Sequence, residues 1–214
     1  FRHTLLNSLV NLKTILVIFE TIKFLSGEVN IYLSQKMGTF PEPRVRLGNV
    51  SRAFDETLTG ANSLNDRAII SVVNVEEDRV AKMQENYVKT DVSTIYKSPP
   101  VYLNLYVLFA VNRLDYKESL QWLGHIIQYF QHQNVFTPDS HPALGDTPIQ
   151  KLIIDLHTLN FEQSNQMWST LGGKYIPSVL YKVRQVTIDE NLKQSESGFI
   201  KEIEIKDKMK LPLS

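Results

Sequence analysis

The sequence predicts an α+β fold, with a mainly antiparallel or mixed sheet and helices packed on one face. Three observations lead there. The element signals run helix, strands, helix, strand, helix, strand and arm, without the strict strand–helix alternation of a parallel sheet. Residues 101–111, VYLNLYVLFAV, are apolar on both alternating faces, as a central strand requires. Two further segments repeat apolar residues at helical spacing.

The elements follow in order. Residues 1–36 read as helical, and Ile18, Ile22, Leu25, Val29 and Leu33 form one stripe with Lys23, Glu28 and Asn30 off it. Gly38 and the Pro41/Pro43 pair stop that helix. Residues 44–50 predict a short strand, the polar stretch 51–66 a loop, and the Ile- and Val-rich stretch 67–76 a strand buried on at least one face. Residues 77–97 are polar and read as an excursion, a flexible hairpin. In the central strand Val101, Leu103, Leu105, Val107 and Phe109 share one face, and Tyr102, Asn104, Tyr106 and Leu108 the other.

Asp115 with Glu118 has the spacing of a capping box. The helix it opens places Tyr116, Leu120, Leu123, Ile127 and Phe130 on one side. Residues 134–145 form a proline-containing loop, and 149–159 a strand with Leu152, Ile154 and Leu156 on one face. Asn160 with Gln163 caps a further helix, which Gly172-Gly173 ends. Pro177 leads a strand over 178–188. The polar stretch 189–198, DENLKQSESG, reads as a linker. FIKEIEIKD then alternates, with Phe199, Ile203 and Ile205 facing one way and Glu202, Glu204 and Lys206 the other.

The expected organisation is therefore an N-terminal helical extension over 1–17, one domain over 18–189, and a tethered C-terminal arm over 190–214 carrying a strand at 199–206. A chain of 214 residues suits one domain with a substantial core. Lys plus Arg and Asp plus Glu number 23 each, so the formal net charge is zero. That balance argues against nucleic acid as a partner, which calls for a basic excess. It also permits close association of like subunits. The chain has no cysteine, which excludes disulfides, thiolate metal sites and a cysteine nucleophile. Its most apolar early run, ILVIF at 15–19, is broken by Glu20 and Lys23, too early to span a membrane. No signal peptide is read at the start, which opens at Phe1.

Reactive patterns are scarce. None of HExxH, GxSxG, a Walker loop or GxGxxG occurs. Asp155 and His157 lie two apart on a strand and share a face, which allows a catalytic pair but suits a polar sheet face better. Glu76-Glu77-Asp78 could hold a hard cation, although a solvated strand end explains it more simply. Trp122 and Trp168 read as helix-packing residues. Lys182 and Arg184 share a strand face and suit either an acidic partner or plain exposure. The arm with Phe199, Ile203 and Ile205 suits either strand addition to another subunit or an edge strand of its own domain. The expectation is a protein without catalytic, cofactor or metal residues.

Several segments carry a family resemblance. SVVNVEEDR (71–79), PPVYLNLYVLFAVN (99–112), YFQHQNVFTP (129–138) and LNFEQSNQMWSTLGGKYIPSVLYKVRQVTID (159–189) resemble the N-terminal domain of cap proteins of contractile injection systems. Relatives are those of the Photorhabdus virulence cassette and the antifeeding prophage. IFETIKFLSGEVNIYL (18–33) resembles that family's opening helix. The resemblance implies a fold like that of phage tail terminators and a ring, a hexamer, closing the inner tube and contractile sheath at the end far from the baseplate. It implies sheath and tube proteins as partners, no direct membrane insertion, and no cofactor. The particle would assemble in the bacterial cytoplasm and be released or stay anchored to the cell. An adaptor linking such a particle to another component or a membrane-associated partner is the alternative.

Overall fold

The computed structural model describes residues 16–78, 87–89, 93–97, 101–188 and 193–198. They form two compact units, one from the residues up to 78 and from 101 to 188, the other from the short segments that remain.

The larger unit begins with helix α1, Val17–Met37, followed by strand β1, Val45–Leu47, and strand β2, Arg67–Glu77. Further along come strand β5, Val101–Asn112, helix α2, Tyr116–His132, strand β6, Val135–Phe136, strand β7, Leu152–Leu156, helix α3, Phe161–Thr170, and strand β8, Ser178–Ile188. The six strands form one sheet in the order β1-β2-β5-β8-β7-β6. Only β1 and β2 run parallel; every other neighbouring pair is antiparallel. The sheet is therefore mixed, as expected from the sequence.

Strand alternation divides the core in two. The odd residues of β5, from Leu103 to Val111, meet α1, α2 and the 136–154 region, where Leu25, Leu33, Trp122, Ile126 and Phe136 are buried. Leu108 and Ala110 face the opposite way and pack with Ile69, Leu180, Ile176 and Trp168 of α3. The two long helices thus cover one face, and the short α3 adds a second, smaller cluster on the other. Two bulges interrupt the register. β2 holds an extra residue between Val72 and Asn74 against β5. Leu103 and Leu105 pair with Val186 and Val183, so β8 has an extra residue there. That bulge lets Val183 and Val186 both be fully buried although they are three apart.

Polar groups fix the short edge strand. The Asn30 amide on α1 accepts from the Val45 backbone N–H at 2.8 Å and donates to the Val45 carbonyl at 2.9 Å. One side chain so satisfies both outward backbone groups of β1 at that residue. Arg44, just before β1, is 1% exposed and donates to the carbonyls of Leu33, Met37 and Gly38 at 2.8, 3.2 and 2.8 Å. A buried cation thereby closes the C-terminal end of α1, where the helix dipole is negative.

Helix α2 departs from its expected face. Its buried side is Ser119, Trp122, Ile126, Tyr129 and Phe130, whereas Tyr116, Leu120 and Ile127 are exposed. The 116/120/127 stripe is real in spacing but lies on a flank, because the aromatic residues Trp122 and Tyr129 set the orientation. The capping box is also incomplete. Asp115 accepts from the Lys117 N–H at 2.9 Å, but Glu118 is drawn to the Arg113 guanidinium, 3.0 Å from Nε, instead of the cap backbone. At α3 the expectation holds: Asn160 and Gln163 form a full capping box. Its C-terminal end closes through the Gly173 N–H on the Trp168 carbonyl at 2.7 Å, with Gly172 and Gly173 at φ +104° and +74°.

The smaller unit is a three-stranded antiparallel sheet of β3, Tyr87–Lys89, β4, Ser93–Lys97, and β9, Lys193–Gly198, in that order. The hairpin expected within 77–97 is β3–β4. The linker expected over 189–198 is corrected in part, because residues 193–198 pair with β4, Ser93 opposite Gly198 and Tyr96 opposite Ser195. Backbone hydrogen bonds supply that pairing, and polar side chains gave no sequence signal for it.

Candidate functional site

The sequence singled out β8 for its two cations, and the structure places both on one face of the sheet. Register aligns Asn74 of β2, Tyr106 of β5, Lys182 of β8 and Asp155 of β7 in a cross-strand row. Lys182 Nζ lies 3.2 Å from Glu76 Oε2, and the Tyr106 hydroxyl donates to the same carboxylate at 2.8 Å. The Lys182 ammonium also sits 5.4 Å from the Tyr106 ring centroid, inside cation–π range. Arg184 Nε donates to Asp155 Oδ2 at 2.6 Å. Both cations are thus matched by acids of their own sheet, on a face that stays half open to solvent.

These contacts tune the groups in directions that physical chemistry dictates. The Tyr106 hydrogen bond, then those from Lys182, hold the Glu76 carboxyl below its ordinary value. Burial pulls the Lys182 ammonium down, but contacts with Glu76 and Tyr106 outweigh it and leave the group raised. Both shifts favour the charged forms.

The pair Asp155 and His157 is not assembled as a dyad. Asp155 is engaged by Arg184, and the His157 ring lies edge-on to Tyr106 at 5.0 Å. Glu76 is committed to Lys182 and Tyr106, and the Asp78 backbone N–H donates to the Tyr102 carbonyl at 2.7 Å. Among the described residues no group of three or more His, Cys, Asp or Glu is placed to hold a metal ion. Among the same residues no helix is long and apolar enough to cross a membrane. Trp122 lies buried with the Arg44 and Arg113 guanidinium carbons at 5.4 and 4.6 Å from its ring, and Trp168 packs edge-on to Tyr175. Phe199, Ile203 and Ile205, and the strand expected at 199–206, lie outside the described residues. So do residues 1–15 of the N-terminal extension.

Sequence reading missed Tyr106 and Glu76 as partners of Lys182, because their meeting depends on register across three strands. It also missed Arg44, whose burial no periodicity reveals. The signal for the first was present: Tyr106 was assigned to the less apolar face of the central strand, where a polar partner belongs.

The fold resembles that of the sheath/tube terminator of the extracellular contractile injection system PVC in its extended state, with a TM-score of 0.58 and 14% identity over 92% of this chain and 65% of that one. The architecture is therefore a terminator-type α+β fold. Residues 20–202 match the family model described as the Pvc16 N-terminal domain, and the chain belongs to that family. The tube terminating cap of the anti-feeding prophage is also similar, at a TM-score of 0.47 and 15% identity over 77% of this chain and 60% of that one. The chain spans less than two-thirds of the length of these two neighbours. No curated protein matches it.

Proposed function

We propose that this chain is a structural, non-enzymatic cap that ends the inner tube and contractile sheath of a phage tail-like contractile injection system. In this reading identical subunits form a ring, a hexamer, at the end far from the baseplate. The membership in the Pvc16 N-terminal domain family over residues 20–202 carries the reading. The fold it shares with a sheath/tube terminator agrees with it. The particle assembles in the bacterial cytoplasm and works after release or anchored at the cell.

A ring that stops growth must match a repeating lattice on one side and offer no template on the other. Lys182 and Arg184 contribute through the charged face described above, by exchanging internal partners for acids of the tube or sheath. The arm beyond Gly198, with Phe199, Ile203 and Ile205 on one face, enters the strand mesh of sheath subunits by backbone pairing. Gold labelling of a tagged chain in whole particles tests the placement. Label at one end only, opposite the baseplate, is expected; label along the sheath or at the baseplate would overturn it. Removal of 199–214 keeps strand β9 and should leave a folded chain that no longer caps.

A further inference from the structure

Helix α3 is built with more care than its burial explains. A helix of ten residues is marginal by itself. This one is held by a full capping box and a glycine C-terminal motif, yet Trp168 is its only buried residue. The rest of its surface is polar apart from Met167, which is partly buried, and Phe161, which is 98% exposed. A mostly polar helix that is firmly capped and holds an apolar ring out in solvent suits a bridge to another body. Beside it runs a cleft of about 240 Å3 lined by Leu156, Leu159, Met167 and Tyr175. Leu156 and Tyr175 are themselves exposed. The cleft falls below the roughly 300–1,000 Å3 of small-molecule sites; its scale is that of one large side chain.

The complementary feature lies on the other side of the sheet. Tyr116, Leu120 and Ile127 form an exposed stripe along α2. At about 100° per residue the stripe lies on the flank away from Tyr129, which meets Tyr32 of α1 at 5.0 Å. Charge agrees as well: Lys117 stands beside Tyr116, and Glu162 beside Phe161, both exposed. Because α2 and α3 cover opposite faces of one sheet, a chain cannot place its own stripe in its own cleft.

We infer that the α2 stripe of one copy packs against α3 and the Leu156/Tyr175 cleft of the next. The inference rests on the ring reading and names the surfaces that build the ring. Such an interface is heterologous: each copy offers two different patches, and the repeat closes when its rotation closes. Zero net charge removes the self-repulsion that would oppose it.

Sedimentation velocity of the full 214-residue chain over a concentration series tests this with Leu120→Glu and Phe161→Glu. Both positions are exposed, so circular dichroism and melting should match the parent. Each variant alone should associate roughly thirtyfold more weakly, the loss of one central anchor. Mixed together, the two variants should form a 1:1 heterodimer and nothing larger, since one intact pair of patches remains. A parent chain that assembles while both variants assemble equally well overturns the surface assignment and leaves the ring reading standing. Variants that each pair with themselves show like patches meeting like, which also overturns it. A parent chain that stays monomeric at every concentration contradicts the ring reading itself.

Discussion

The Arg44 guanidinium carbon lies 3.3 Å from the centroid of the Phe40 ring while its nitrogens hold three carbonyls at the end of α1. Burial pulls the Arg44 group down and the Arg113 charge adds to that, with Glu118 opposing. Yet donors of this fork geometry remain charged in proteins. Arg44→Ala should therefore cost about 3 kcal/mol, leaving buried carbonyls without donors and a gap beside Trp122. Arg44→Lys should lose roughly half as much, because a point charge cannot stack on Phe40 and serve three carbonyls together. Denaturant midpoints of the three chains check both values.

Asn30 guards the β1 edge. Asn30→Leu should destabilise by about 2 kcal/mol, since the Val45 N–H and C=O lose their shared partner. Asn30→Asp should also destabilise, because a carboxylate accepts from the N–H but faces the carbonyl with like charge. Faster amide exchange at Val45 in both variants is the local readout.

Asp55 supplies a pH test. The hydrogen bonds from the Thr57 hydroxyl, then Arg52, then the Thr57 backbone lower its carboxyl to about 2. A folded value below the unfolded one adds stability that is present above the ordinary value of 3.8 and lost as pH falls toward 2. Asp55 lies at the protein surface and its partners are solvent-screened, so the effect on stability is small, but carbon-detected NMR titration should place its midpoint near 2. Thr57→Val should move that midpoint upward.

Lys182 and Arg184 separate a structural role from a contact role. Both sit on a half-open face and pair with acids there, so Lys182→Ala and Arg184→Ala should leave the unfolding midpoint nearly unchanged. If the face meets the tube or sheath, the same variants should lower cap occupancy on purified particles. A large drop in stability with normal occupancy would make them purely structural.

Much of the fold was legible because strong periodicity belongs to long elements. The central strand announced itself through an apolar run with two usable faces, and both faces proved to hold a core. The α3 capping box and glycine stop were local chemistry, readable without any neighbour. The α2 face was misjudged because Tyr116, Leu120 and Ile127 share the helical spacing of the buried set, and spacing alone cannot say which apolar stripe meets the sheet. Strand β9 was hidden in KQSESG, whose pairing rests on backbone groups that every residue carries. At the candidate surface, Lys182 and Arg184 were visible as residues. Their partners Glu76, Tyr106 and Asp155 were not, because they come from three other strands and register decides who meets whom.

The length of tubes and sheaths in particles made without this chain tests the cap reading most directly. Electron micrographs of a deletion strain should show tubes of broad, uncontrolled length with sheaths open at the end far from the baseplate, restored by the intact chain. Particles of normal length with a normally closed end in that strain would contradict it.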